Sequence, residues 1–207
     1  MNEDGMLNFI FSLVASLVAA IIVLFLERMR LPELKIIADI KVNTVNTYGK
    51  MGTWKFIRLK VINKEMPLLL RFLIRETAEN CRAILYFFNE GNELLFQMKG
   101  RWADTPELPH VGQDAILKIY HPDPISITRG KEEVLDVVVM KQNESDAYGW
   151  NNEAYLNNWK TPLYKIPKGK YNIKINITTQ NGVSFSENVL LKIGDNIENT
   201  FLENISN

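Results

Sequence analysis

Two stretches of this 207-residue chain concentrate side chains that could stack on a flat ring and read its polar edge. The first, Gly100-Arg101-Trp102-Ala103-Asp104-Thr105-Pro106-Glu107-Leu108-Pro109-His110, sets a tryptophan beside a guanidinium and a carboxylate in a Pro-rich connection. The second, Tyr148-Gly149-Trp150-Asn151-Asn152-Glu153-Ala154-Tyr155-Leu156-Asn157-Asn158-Trp159, collects aromatic faces and amide groups. Binding residues gather on loops carried by a rigid scaffold. Arg101, Trp102, Asp104, Trp150, Asn151, Asn152, Glu153, Tyr155 and Trp159 are therefore the candidates for holding a small polar ligand or a protein partner. The structural alternative is that each tryptophan plugs one end of a β-domain and each asparagine caps a turn.

Other chemistry finds little support. No Gly-x-Ser-x-Gly elbow, P-loop, Gly-x-Gly-x-x-Gly turn, His-Glu-x-x-His helix or Cys-x-x-Cys pair occurs. A hydrolase would need two carboxylates across a cleft, such as Glu107 with Glu153. His121 stands in the rigid turn His121-Pro122-Asp123-Pro124, and Cys81 stands among apolar strand residues, where a small buried hydrophobe is expected. The cluster of Asn143, Glu144, Asp146, Asn151, Asn152 and Glu153 lacks the ligand spacing of a calcium loop. No catalysis, metal or cofactor is expected. With 24 basic and 24 acidic residues, the formal net charge of zero argues against nucleic acid as a partner.

These loops need a scaffold, and the scaffold begins at a membrane. Residues 6–26 form an uncharged apolar run of 21 residues, about 31 Å as a helix, which matches the hydrocarbon core of a bilayer. The preceding Met1-Asn2-Glu3-Asp4-Gly5 has no basic residue and the run exceeds a signal peptide's apolar core, so an uncleaved anchor over 1–31 is expected. Arg28, Arg30, Lys35 and Lys41 follow it. Basic flanks stay inside, which predicts an amino terminus outside and a cytoplasmic body at the cell membrane. Ser12, Ser16 and Ala20, four apart, offer a close-packing face for a homo-oligomer.

The body, 32–193, reads as strands. Leu34, Ile36, Ala38, Ile40 and Val42 alternate in part with charged or polar neighbours, as do Ile57, Leu59 and Val61 with Arg58 and Lys60; residues 81–88 turn at Asn89-Glu90-Gly91-Asn92 into 93–98; 134–140 is a β-branched run suited to a buried central strand. Residues 171–177 alternate, reverse at Asn181-Gly182 and return to Ile193. At least seven strands joined by hairpins predict a mainly β protein with an antiparallel immunoglobulin-like β-sandwich, or alternatively a β-barrel. Residues 194–207 form a tail whose Ile197, Phe201, Leu202 and Ile205 either form a docking helix or fray.

One segment breaks the strand pattern. Met66, Leu69, Leu70, Leu73 and Ile74 recur at helical spacing while Arg71 and Arg75 lie four apart on another side. A short helix on the membrane surface would bury the leucines in acyl chains and set both arginines against lipid phosphates. A core insertion or buried strand is the competing reading.

Arg75-Glu76-Thr77-Ala78-Glu79-Asn80-Cys81-Arg82-Ala83, Gly100-Arg101-Trp102, Leu135-Asp136-Val137, Gly149-Trp150-Asn151-Asn152-Glu153 and Lys168-Gly169-Lys170-Tyr171 resemble an uncharacterised prokaryotic family with an amino-terminal membrane anchor and a β-rich body. The resemblance implies that architecture and no activity. The expected function is a membrane-tethered interaction or sensing module. The alternative is an extracytoplasmic carbohydrate-binding module with inverted topology.

Overall fold

In a computed structural model, residues 3–106 and 121–205, with Leu117 and Ile119, are described. Residues 107–116, Glu107 and His110 among them, with Lys118 and Tyr120, lie outside the described residues. The first element is helix α1, Glu3–Arg30, of 28 residues. Its segment Asn8–Arg30 is long and apolar enough to cross a membrane, and none of its most apolar window is covered by the body. Ser16 Oγ donates to Ser12 O at 2.8 Å, so that hydroxyl is satisfied within the helix.

The body holds thirteen strands among the described residues: β1 (Leu34–Ile37), β2 (Thr44–Thr47), β3 (Thr53–Asn63), β4 (Ala78–Phe88), β5 (Leu94–Lys99), β6 (Arg101–Trp102), β7 (Ile125–Ile127), β8 (Glu132–Lys141), β9 (Ala147–Gly149), β10 (Lys165–Ile166), β11 (Gly169–Thr178), β12 (Ser184–Ile193) and β13 (Phe201–Asn204). One sheet runs β1-β3-β8-β9-β10, with β2 also on β3 and β6 on β8; the other runs β13-β12-β11-β4-β5, with β7 also on β4. Every pairing is antiparallel. Two open sheets face each other, which makes the body a sandwich and not a closed barrel.

Period-2 alternation builds the core. Ile57, Leu59 and Val61 of β3 point inward with Leu135, Val138 and Met140 of β8, toward Ala83, Leu85 and Phe87 of β4 and Ile173, Ile175 and Ile177 of β11. Both expected hairpins form, and by the same device. Thr179 N donates to Val183 O and Asn89 N to Glu93 O, while Gly182 (φ 77°) and Asn92 (φ 61°) supply the left-handed residue that closes a three-residue loop. Gly100 lies where the chain leaves β5 in one sheet and enters β6 in the other. A Cβ there would meet Ala83 Cβ at 2.7 Å and Leu135 Cδ1 at 2.9 Å, so only glycine lets the strand cross at this corner.

Three segments differ from the sequence expectation. The run from Leu34 stays a strand only to Ile37; Asp39 Oδ1 accepts from Lys41 N, and a 3-10 turn at Ile40–Val42 leaves Ile40 exposed. The tail after 193 is a strand, because β13 pairs with β12 and Lys55 Nζ donates to Ile197 O and Thr200 O beneath it. The segment 66–75 is not an amphipathic helix: a single 3-10 turn, Leu68–Leu70, is its only helical element. Met66 (5% exposed) and Arg75 (9%) pack inward and pin its two ends, away from the exposed surface expected for them. Leu69 and Arg71 are exposed; Leu70 and Leu73 are half-buried.

Candidate functional site

The seven-stranded sheet is covered on both faces, and the chemistry lies on the outer one. Along β3, Trp54, Phe56 and Arg58 point outward while Ile57 and Leu59 point to the core. On β8, Ile57 is paired with Val138 but Arg58 with Asp136, so Val137 is an extra residue, a β-bulge. The bulge keeps Val138 in the core while turning Asp136 outward, opposite Arg58. The Val137 carbonyl also accepts from Trp150 N at 3.0 Å, which brings the Trp150 loop over the same face.

Asp136 is fully buried. Arg58 Nε donates to its Oδ1 at 2.7 Å, and Arg101 Nη1 to its Oδ2 at 3.5 Å. Burial pushes the Asp136 carboxyl above its ordinary value, while the two guanidiniums pull it back. Arginine stays protonated whatever its surroundings. The trio therefore carries an excess of at least one positive charge in either state of Asp136. Arg101 Nε also donates to Asn152 Oδ1 at 3.2 Å, which fixes the plane of its fork.

Aromatic rings wall this charge in. Trp159 meets Tyr48 and Trp54 edge-on, each at a centroid distance of 4.6 Å, and Trp150 at 5.4 Å; Trp150 meets Phe56 at 5.3 Å. The Arg58 guanidinium lies 5.5 Å from the Phe56 ring centroid and that of Arg101 5.6 Å from Tyr155. Trp159 reaches its place through a strained backbone. The short helix Asn152–Leu156 ends with Asn158 in the left-handed region (φ 54°) and Trp159 N donating to Ala154 O, a Schellman end; Trp159 itself then holds φ 74°. A bulky residue in that region costs about 1–3 kcal/mol. The cavity between these walls measures about 560 Å³, and Tyr48, Phe56, Arg58, Arg101, Trp150, Tyr155 and Trp159 line it. That volume is within the range of small-molecule sites.

The structure brings Arg101, Trp150, Tyr155 and Trp159 of the candidate residues to one cavity. It places the others elsewhere. Trp102 is 1% exposed: β6 pairs Arg101 with Asp136 and Trp102 with Leu135, so strand alternation sends these neighbours to opposite faces, and Trp102 Nε1 donates to Cys81 O inside the core. Asn151 caps the short helix through Ala154 N, and Glu153 accepts from Tyr164 OH, so both serve the loop's fold. Asn152 positions Arg101. Asp104 stands exposed after β6, outside the cavity lining. Sequence reasoning missed Tyr48, Phe56, Arg58 and Asp136. One signal was present for Asp136, because a carboxylate inside a β-branched run destined for burial requires a cationic partner.

Among the described residues no group of His, Cys, Asp and Glu gathers as a metal site. Burial raises the Cys81 thiol to about 11, which leaves it unreactive. No protein-family model matches the chain, and no curated protein or solved structure does either. What the pocket can do follows from its own geometry.

Proposed function

We propose that the chain is a membrane-anchored, immunoglobulin-like binding module whose outer-face pocket takes a small planar anion, with its body on the cytoplasmic side. The observation that carries this reading is the pair of guanidiniums converging on one buried carboxylate at an aromatic-walled cavity. A carboxylate or similar anion meets the excess positive charge, and its flat apolar part lies against Trp150, Tyr155 and Trp159. The rings form a concave cage rather than an open stacking platform, which favours a compact ligand over a sugar chain. At about 3.3 Å per residue, Phe56 lies roughly 23 Å along β3 from Asn63, the end that neighbours the anchor. The pocket is thus held clear of the bilayer.

The test is calorimetric titration of the full-length chain in detergent with 2-naphthoate and with the neutral 2-naphthamide. The acid binds more tightly than the amide; Arg58→Gln removes that difference, and Trp159→Ala weakens both at least about tenfold. Equal binding of acid and amide to the unaltered chain defeats the proposal. Protease protection of the body in intact cells tests the orientation, and digestion without lysis would favour the inverted topology.

A further inference from the structure

The connection from β3 to β4 exposes more large apolar surface than any comparable stretch of the described body. Leu68 is 74% exposed, Leu69 89%, Phe72 74% and Ile74 61%, four side chains within seven residues. Elsewhere outside α1, exposed apolar side chains stand singly or in adjacent pairs. The loop cannot fold these residues inward, because Met66 and Arg75 hold both of its ends in the body.

The root of this loop is bonded to the end of α1. Glu76 N donates to Arg30 O at 2.7 Å, Arg30 Nε to Ile74 O at 3.4 Å and Arg75 Nη1 to Leu31 O at 3.1 Å. Arg75 Nη2 also pairs with Glu33 at 2.9 Å, and Glu33 with Lys64 at 2.5 Å. The apolar tip therefore lies beside the point where the anchor leaves its apolar stretch. Exposed bases share this end: Arg28 on α1, Arg71 on the loop, and Arg129 and Lys131 on a neighbouring turn whose Gly130 N donates to Asn63 O. Glu27 and Glu65 are also exposed there, so the basic excess is modest.

We infer that Leu68, Leu69, Phe72 and Ile74 insert into the headgroup and upper acyl region of the leaflet at the Arg30 end of α1, forming a second membrane contact that fixes the tilt of the body. The occupant is the lipid bilayer, because the patch continues the surface of α1 and carries bases suited to anionic headgroups. This inference rests on α1 spanning a membrane and is independent of the pocket.

Variants of the full-length chain with one added cysteine, V18C in α1, L69C and F72C in the loop and N92C in the far hairpin, are labelled with a maleimide fluorophore. Native Cys81 does not compete, being fully buried with its thiol raised to about 11. The chains are reconstituted in phosphatidylcholine–phosphatidylglycerol vesicles containing lipids spin-labelled near the headgroup or deep in the chain. Positions 69 and 72 are expected to lose most of their intensity to the shallow label, position 18 to the deep label, and position 92 little to either. Quenching at 18 without quenching at 69 and 72 overturns the loop inference alone. No quenching at 18 overturns the reading of α1 as a span. Protection of 69 together with a 69–69 crosslink between chains assigns the patch to a second copy and overturns lipid insertion.

Discussion

The two faces of the seven-stranded sheet are both buried, yet they differ in kind. On the inner face, Ile57, Leu59, Leu135, Val138 and Trp102 pack against the second sheet with scarcely a polar atom among them; the Trp102 indole N–H is the exception and reaches Cys81 O. On the outer face, Trp54, Phe56, Val139 and Trp150 are covered only by a loop and a short helix, and that cover leaves a cavity beside Arg58, Arg101 and Asp136. Sheet-on-sheet packing fills its interior with complementary rows of side chains. A loop laid over a sheet closes its edges and leaves a hollow, into which charged groups can be aimed. The inner tryptophan fills the core, whereas Trp150 and Trp159 on the outer face border the cavity.

This contrast can be broken by experiment. Trp102→Ala should cost about 3–5 kcal/mol, since the largest fully buried side chain is lost from a close-packed interior. At about 2–4 °C per kcal/mol for a chain of this size, thermal unfolding in detergent should fall by roughly 10 °C. A loss below about 1 kcal/mol would place Trp102 outside the load of the core. Asp136→Ala should cost about 3 kcal/mol, because it strands Arg101 in a buried site and leaves Arg58 only partly wet. If Arg58→Leu combined with Arg101→Met rescues that loss, the cost was unpaired charge rather than a collapsed bulge.

Trp159→Ala should cost less than about 2 kcal/mol, because the ring is only half-buried and its backbone is strained at φ 74°. Trp159→Gly should be more stable than Trp159→Ala by a few tenths of a kcal/mol or more, since glycine adopts that φ freely. The opposite order of melting temperatures would show that the backbone at 159 carries no such strain once the ring is gone.

The smallest effect lies at the anchor end. Hydrogen bonding from Lys64 comes first, with the nearby Arg75 charge, in holding the Glu33 carboxyl below its ordinary 4.5. A depressed carboxyl contributes stability that is complete above the ordinary value and lost as pH falls through the lower folded one. The protection of the Lys64 and Glu76 amides, taken against the intrinsic exchange rate at each pH, should therefore fall below about pH 4.5 before that of central β3, and Glu33→Gln should abolish this pH dependence. Protection that stays constant with pH in both chains would mean that the backbone bonds alone hold the junction.

Much of the fold was legible because alternation is local. Ile57, Leu59 and Val61, and Ile173, Ile175 and Ile177, announce their faces by spacing alone, and Asn181-Gly182 announces a reversal. The site was half legible. Trp150, Tyr155 and Trp159 attracted notice because aromatic rings cluster in their loop, but Arg101 and Trp102 were read together although consecutive strand residues cannot share a face. Arg58 looked like an ordinary solvent-facing charge on an alternating strand. The helical spacing of 66–75 misled, since two buried ends and a 3-10 turn, not periodicity, decide which of its residues are exposed.

By itself the sequence determined an apolar segment of membrane length, the strands and their hairpins, and which side chains are apolar enough to bury. These follow from the composition and period of short stretches, which act before any distant residue is in place. Tertiary structure alone decided that one extra residue in β8 turns Asp136 outward, that Arg58 and Arg101 meet there from strands 43 residues apart in the chain, and that the loop after β3 is tied to the end of α1. Those outcomes depend on register and on pairings between remote segments, and a one-residue shift in either would send every one of these groups to the other face.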